Sequence, residues 1–298
     1  MSLASQITSG ALVQQVLIGF SKTSILFIVA SGLSLVLGVL RIPNVSHGSL
    51  YMIGAFLAYS ITTALGGTTA GFFLALLLAP TVVALIGLVT ERALLCHLSD
   101  REHLMQLLFT FSLTLIFGDL VKMVWGPDYR SLSLPPMFQG SLSLLGLQLP
   151  RYSLFLLFIG PLVALGLWLL TTKTKIGKIS RAAAVHREMV GAVGINVSWV
   201  FASVFVIGCF LAGLGGALVA PIQNITQGMD HSIIIEAFLI VIMGGLGNIW
   251  GALLGALIFG LTDSIGILLW PQFAIVFPYV AVITVLMLRP AGLLKSTW

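Results

Sequence analysis

Residues capable of chemistry are sparse in this 298-residue chain, and most of them form no reactive pattern. His97, His103, His186 and His231 fall in or beside loops without metal-ligand spacing. No HExxH run, Walker loop or nucleophile elbow occurs, so an enzymatic reading has nothing to stand on. Cys96 lies in a loop and Cys209 deep in an apolar block, so both are expected as thiols rather than a disulfide. What remains are ionisable groups inside apolar blocks, namely Asp119 and Lys122, Glu236 and Asp263. Charges at membrane depth mark substrate or ion paths by default. Asp119 and Lys122, three apart near a helix end, fit a local interfacial pair. Asp263 lies fourteen residues into its block and is expected to face the bundle interior.

Two polar, turn-forming stretches stand out against the apolar background. Residues 41–52 (Arg41-Ile42-Pro43-Asn44-Val45-Ser46-His47-Gly48-Ser49-Leu50-Tyr51-Met52) join two apolar blocks. Pro43 and Gly48 break helices, and Asn44, Ser46 and His47 bring hydrogen-bonding groups where hydrocarbon would penalise unpaired ones. Such a stretch is either a plain cytoplasmic turn or a discontinuous helix whose freed backbone lines a cavity. Residues 244–251, from Gly244-Gly245-Leu246-Gly247-Asn248 through Gly251, have the same character in the second half of the chain. A discontinuity is expected at each, near 43–48 and 244–248. Asn44, His47, Gly48, Tyr51, Gly244, Gly245, Gly247, Asn248 and Asp263 are the candidates for a solute path.

The elements holding these residues must be membrane helices. The chain is 58% hydrophobic and 8% charged, against about 25% charged in a soluble domain. Apolar blocks run over 11–40, 51–65, 72–89, 104–125, 152–170, 199–220, 233–243, 249–269 and 273–288. Helices are the reading, because open sheet edges are not satisfied in lipid and the runs are too long for barrel strands. The first block is interrupted at Ser21-Lys22-Thr23, which suggests an interfacial lead-in before the span, and the seventh is too short to cross alone. The expectation is a single all-α polytopic membrane domain over 1–298 with eight or nine crossings. The N-terminus lacks a basic region and a small-residue cleavage site, so it is expected to be retained.

The net charge of +5 reflects topology rather than nucleic-acid binding. Lys173, Lys175, Lys178, Arg181 and Arg187 cluster in one loop, the strongest cytoplasmic marker in the chain. Counting outward from it places Arg41, Arg92, Arg101, Arg289 and Lys295 on the same side, with the C-terminus inside and the 126–150 loop outside. Nine crossings would put the N-terminus outside. Within 173–196, Ser180 can cap a helix and Gly194 can end it, while Ala182, Val185, Met189 and Val193 share one narrow face. Such a helix lies on a membrane surface or docks into a protein groove. Small residues four apart, as in Ala30, Ser34 and Gly38 or Gly208, Ala212, Gly216 and Ala220, or Gly247, Gly251 and Gly255, are read as packing seams.

The run Gly38 to Arg41 through Asn44, with His47-Gly48 and Tyr51-Met52-Ile53-Gly54-Ala55, closely resembles the shorter permease subunit of branched-chain amino acid ABC importers. The likeness continues through Glu91-Arg92, Arg181 to Ala184, Gly194-Ile195-Asn196 and Gly244 to Ala252. The resemblance implies a bacterial inner-membrane permease working as one of two, usually unlike, permease chains. Two cytoplasmic ATPase subunits would bind ATP and Mg, with no cofactor in this chain, and a periplasmic binding protein would deliver substrate. It also implies that residues 178–196 are the helix coupled to the ATPase, with Arg181, Ala182, Val185, Arg187, Glu188, Met189, Val193 and Gly194 at the contact. Family members often carry an acidic residue near Val185 or His186, and this chain does not. Relatives serve leucine, isoleucine and valine, and others urea, short amides or other amino acids. The rival reading is an ion-coupled secondary transporter using Asp263 and Glu236 as its carboxylates.

Overall fold

The computed structural model describes residues 9–98, 102–144 and 147–295. Among them eleven α-helices follow one another: α1 Ser9–Leu40, α2 His47–Ala64, α3 Thr69–Ala93, α4 His103–Trp125, α5 Arg151–Lys173, α6 Lys175–Val185, α7 Arg187–Ala192, α8 Val197–Val219, α9 Met229–Gly244, α10 Ile249–Leu269 and α11 Val276–Leu288. Six described helices, α1, α3, α4, α5, α8 and α10, are long and apolar enough to cross a membrane. Eight or nine crossings would need two or all three of α2, α9 and α11 as well, which are shorter or carry more polar residues.

Helix α1 corrects one expectation, since it runs unbroken through Ser21-Lys22-Thr23. Each polar side chain there has a partner. Ser21 Oγ bonds the carbonyls of Leu17 and Ser153, and Thr23 Oγ1 bonds those of Gly19 and Ala256. Lys22 reaches Asp263. A polar triplet breaks a membrane helix only if its groups go unsatisfied, and these do not.

Helices α1 and α2 form the centre of the bundle. The first packs on α10, α8 and α5, and the second on α8, α3 and α9, with every residue from His47 to Phe56 buried. The small-residue seams are where backbones meet. A Cβ on Gly216 would collide with the Tyr51 carbonyl, one on Gly54 with the Gly213 backbone, and one on Gly208 with Val36 and the Gly32 carbonyl. Lipid offers little drive for helix association, so close backbone packing supplies it. Leu77, Val89, Phe158 and Ile283 point outward from the periphery, as lipid-facing residues do.

The 126–150 loop is not irregular throughout. It holds a 3-10 turn at Pro136–Phe138 and an antiparallel hairpin of β1 Ser141–Leu144 and β2 Leu147–Pro150, with Ser141 opposite Pro150. The strictly helical expectation missed it, although Ser-Leu-Ser-Leu and Leu-Gln-Leu alternate at the strand period. Arg130 and Ile225 exchange backbone hydrogen bonds, tying this loop to the α8–α9 connection. Phe138 sits against Tyr152 and Phe155 at the head of α5, and the Tyr152 hydroxyl donates to the Leu218 carbonyl at 2.6 Å.

The opposite end of the bundle gathers the basic residues. Arg41 Nη2 donates to the Ala184 carbonyl at 3.1 Å, Arg92 Nη1 to Ser198 Oγ at 3.3 Å, and Asn248 Nδ2 to the Lys295 carbonyl at 2.7 Å. Arg101 lies outside the described residues. Asp119 and Lys122 are both exposed, and no ion pair joins them among the described residues. Neither cysteine forms a disulfide.

Candidate functional site

The first discontinuity spans residues 41–46. Arg41 has φ +58, the one described non-glycine residue in the left-handed region, and its turn ends α1. Thr110 of α4 then holds the connecting chain, its hydroxyl donating to the Pro43 carbonyl at 3.1 Å and accepting from the Val45 amide at 3.3 Å. Asn44, Ser46 and His47 are all 0% exposed. Ser46 Oγ donates to Asn44 Oδ1 at 2.6 Å, and His47 Nε2 meets the Val29 carbonyl at 3.1 Å. A carbonyl only accepts, so Nε2 carries a proton toward Val29, and Nδ1 is an acceptor whenever the ring is neutral. Among the described residues, neither Nδ1 of His47 nor Nδ2 of Asn44 has a hydrogen-bond partner. Gly48 lets the Asp230 carbonyl approach α2, and Ser49 Oγ donates to Asp230 Oδ2 at 3.1 Å. Tyr51 is buried beside Gly215 and Gly216. Of these contacts, the clamp by Thr110 and the partnership with Asp230 had no signal in sequence spacing.

The second discontinuity spans 245–248. Gly245 and Gly247 have φ +108 and +78, conformations that favour glycine. Gly244 and Gly251 meet backbone to backbone, which no side chain would permit. Asn248 caps α10, its Oδ1 accepting from the Gly251 amide at 3.0 Å. The chain end closes over this turn. The Leu293 and Leu294 amides donate to the carbonyls of Met243 and Gly244 at 2.9 and 3.1 Å.

Asp263, 15% exposed, faces α1, where the Nζ of Lys22, 38% exposed, lies 2.7 Å from its Oδ2. Glu236, half-buried on α9, stands within electrostatic reach of both. Lys22 is the site group that sequence spacing does not reveal, because a lysine within an apolar block reads as an interruption of the helix rather than as a partner for Asp263. An unpartnered aspartate in a neighbouring span was the available signal.

The basic segment departs from its expected form. It is two helices, α6 and α7, divided at His186, whose φ of −134 and ψ of 74 are not helical. Its cap is Thr174, whose Oγ1 accepts from the Gly177 amide at 3.2 Å, while Ser180 sits inside α6 and donates back to the Ile176 carbonyl. Gly194, at φ +86, follows the end of α7. The face inward toward the bundle is Gly177, Ser180, Ala183, Ala184 and Val190. Ala182 is exposed, and Val185, Met189 and Val193 are 56%, 67% and 79% exposed. Arg187 and Glu188 are exposed between them, and Arg187 lies 5.2 Å from the Phe201 ring. Arg181 turns to the flank, toward Trp168 and Asn248. A cavity of about 410 Å³ separates this segment from the ends of α1, α3 and α4, with Arg41, Glu91, His103 and Arg187 among its walls.

A bundle of apolar helices, six of them long enough to span a bilayer among the described residues, is the architecture of a multi-pass membrane protein. The sequence model of the family described as branched-chain amino acid transport system / permease component matches residues 15–288, and the chain belongs to that family. It is 27% identical over 293 residues to the high-affinity branched-chain amino acid transport system permease protein BraD of Pseudomonas aeruginosa, covering 94% of this chain and 95% of that one. It is 26% identical over 297 residues to the permease protein LivH of Salmonella typhimurium, covering 94% of each. A probable LivH of Methanocaldococcus jannaschii is 26% identical over 296 residues, covering 93% of this chain and 90% of that one. No solved structure matches.

Proposed function

We propose that this chain is the permease subunit of an ABC importer of the bacterial inner membrane, moving branched-chain amino acids. It would act beside a second permease chain, two ATPase subunits that bind the ATP and Mg, and a periplasmic binding protein. The observation that carries the reading is the exposed apolar face of Ala182, Val185, Met189 and Val193, which stands out from the basic end of the bundle while the opposite face is packed. An apolar strip rimmed by Arg187 and Glu188, with Arg181 at its flank and Gly194 closing the segment, fits a groove on an ATPase subunit. Closure of the ATPases would pull α6 and α7, and Arg41 would pass the motion to the first discontinuity through its bond to Ala184.

In this reading α2, α9 and α11 also traverse the membrane, giving nine crossings with the basic end in the cytoplasm. Asn44, His47, Gly48 and Tyr51 line the path as the bundle opens, with Gly244, Gly245, Gly247 and Asn248 forming the second flexible turn. Support comes from the orphaned Nδ1 of His47 and Nδ2 of Asn44. A fully buried polar atom without a partner costs stability and is kept where it serves something else. Asp263 is committed to Lys22, which favours ATP coupling over an ion-coupled cycle needing a carboxylate able to take up and release its cation.

The test is reconstitution of the chain with its neighbouring permease, ATPases and binding protein in proteoliposomes. Uptake of labelled leucine should require ATP inside and binding protein outside. Uptake driven by a proton or sodium gradient without ATP would support the secondary transporter instead.

A further inference from the structure

We infer that the groove between α1, α5 and α10 is a binding site for an anionic glycerophospholipid of the leaflet at the basic end of the bundle. Two adjoining spaces make the site. The larger, about 530 Å³, is an apolar trench walled by Phe20 and Phe27 of α1, Ala164 and Leu165 of α5, and Leu254 and Leu257 of α10. The smaller, about 100 Å³, is polar and contains Thr171, Thr172, Arg181 and Asn248. Trp168 and Trp250 line both, so the polar space is the mouth of the trench.

The chemistry of the mouth selects the occupant. Every ionic group there is a cation. Arg181 is in the wall, the Lys173 ammonium lies 5.8 Å from the centroid of the Trp168 ring, and no carboxylate lines either space. Among the described residues, no ion pair or hydrogen bond engages the Arg181 guanidinium or the indole N–H of Trp168 or Trp250. These are donors without acceptors, placed where tryptophan and arginine stand at a membrane boundary. A phosphate diester supplies the acceptors and the charge, and an acyl chain attached to it fills the trench. A second protein chain would offer no reason for an apolar groove to end on clustered cations.

The inference rests on the permease reading only for which leaflet Arg181 meets. A lipid held there touches α6, through Arg181, and the 245–248 turn, through Asn248, so it steadies the coupling segment against the bundle.

Lipid retention can be measured without transport, so its failure is distinct from failure of the permease assignment. The purified transporter is exchanged into detergent, titrated with dioleoylphosphatidylglycerol or dioleoylphosphatidylcholine, and observed by native mass spectrometry. The wild type should retain phosphatidylglycerol preferentially. Arg181→Gln should lower that retention about fivefold, the worth of one cation at an anionic surface. Leu165→Trp, on the exposed rim of the trench, should reduce retention of both lipids. Equal retention of the two lipids by the wild type, or undiminished retention in either variant, would overturn the proposal. So would crosslinks from Leu165→Cys that reach the second permease chain instead of lipid, a readout that needs no disruptive substitution.

Discussion

At the scale of single residues, the bundle is governed by a few contacts that tolerate no exchange. Gly216 lies against the Tyr51 carbonyl, whereas Gly166 on α5 has nothing within 4 Å of where its Cβ would be. Gly216→Ala should therefore sharply reduce the melting temperature or the yield of folded protein. Gly166→Ala should be neutral or stabilise by about 0.5–1 kcal/mol, because alanine is the better helix former. Comparable melting of the two variants would show that the α2–α8 seam is looser than described. The Lys22–Asp263 pair makes a second prediction. Removing one partner of a fully buried pair costs about 3–5 kcal/mol. With Lys22 partly exposed, Lys22→Met should cost less, and the double variant Lys22→Met/Asp263→Asn should recover most of the loss in thermal unfolding. If the double variant is no better than the single one, the pair is not what the substitution disrupts.

At the scale of elements, the interrupted helices differ in how they are held. The 41–46 connection is clamped from α4 by Thr110, while the 245–248 turn is fastened to the end of its own chain by Asn248 and the Leu293 and Leu294 amides. Asn248→Ala removes both the α10 cap and the bond to Lys295. It should cost about 0.5–2 kcal/mol by the cap alone, and hydrogen exchange should rise together at the Gly251 amide and at residues 293–294. Faster exchange at Gly251 alone would mean that the chain end is held independently. Both interruptions were legible in sequence from Pro43 and the glycine run, but Gly48 does not break a helix as its type suggests: it lies inside α2, where its lack of a side chain admits the Asp230 carbonyl. Ala182, Val185, Met189 and Val193 are all exposed, but the single helix face expected to carry them is divided at His186 into α6 and α7. That division was not legible, because histidine neither breaks nor caps a helix by type. Continuity of α1 was missed for a related reason. The partners of Ser21 and Lys22 lie on α5 and α10, and one sequence does not reveal which polar groups meet across a bundle.

At the scale of the whole molecule, the proposed function assigns coupling to the basic end and solute passage to the polar groups of the bundle centre. Between them lie the cavity bordered by Arg41, Glu91 and Arg187 and the hydrogen bond from Arg41 to the Ala184 carbonyl. The central claim is that α6 and α7 receive the work of ATP hydrolysis through their apolar face. Aliphatic anchors in a desolvated contact carry more binding energy than charges at its rim. The most direct measurement compares Met189→Asp with Arg187→Ala in the reconstituted transporter, following assembly, ATP hydrolysis and leucine uptake together. Met189→Asp should prevent ATPase assembly or leave hydrolysis without uptake, and Arg187→Ala should have the smaller effect. A Met189→Asp transporter that assembles and imports at the wild-type rate would contradict the account.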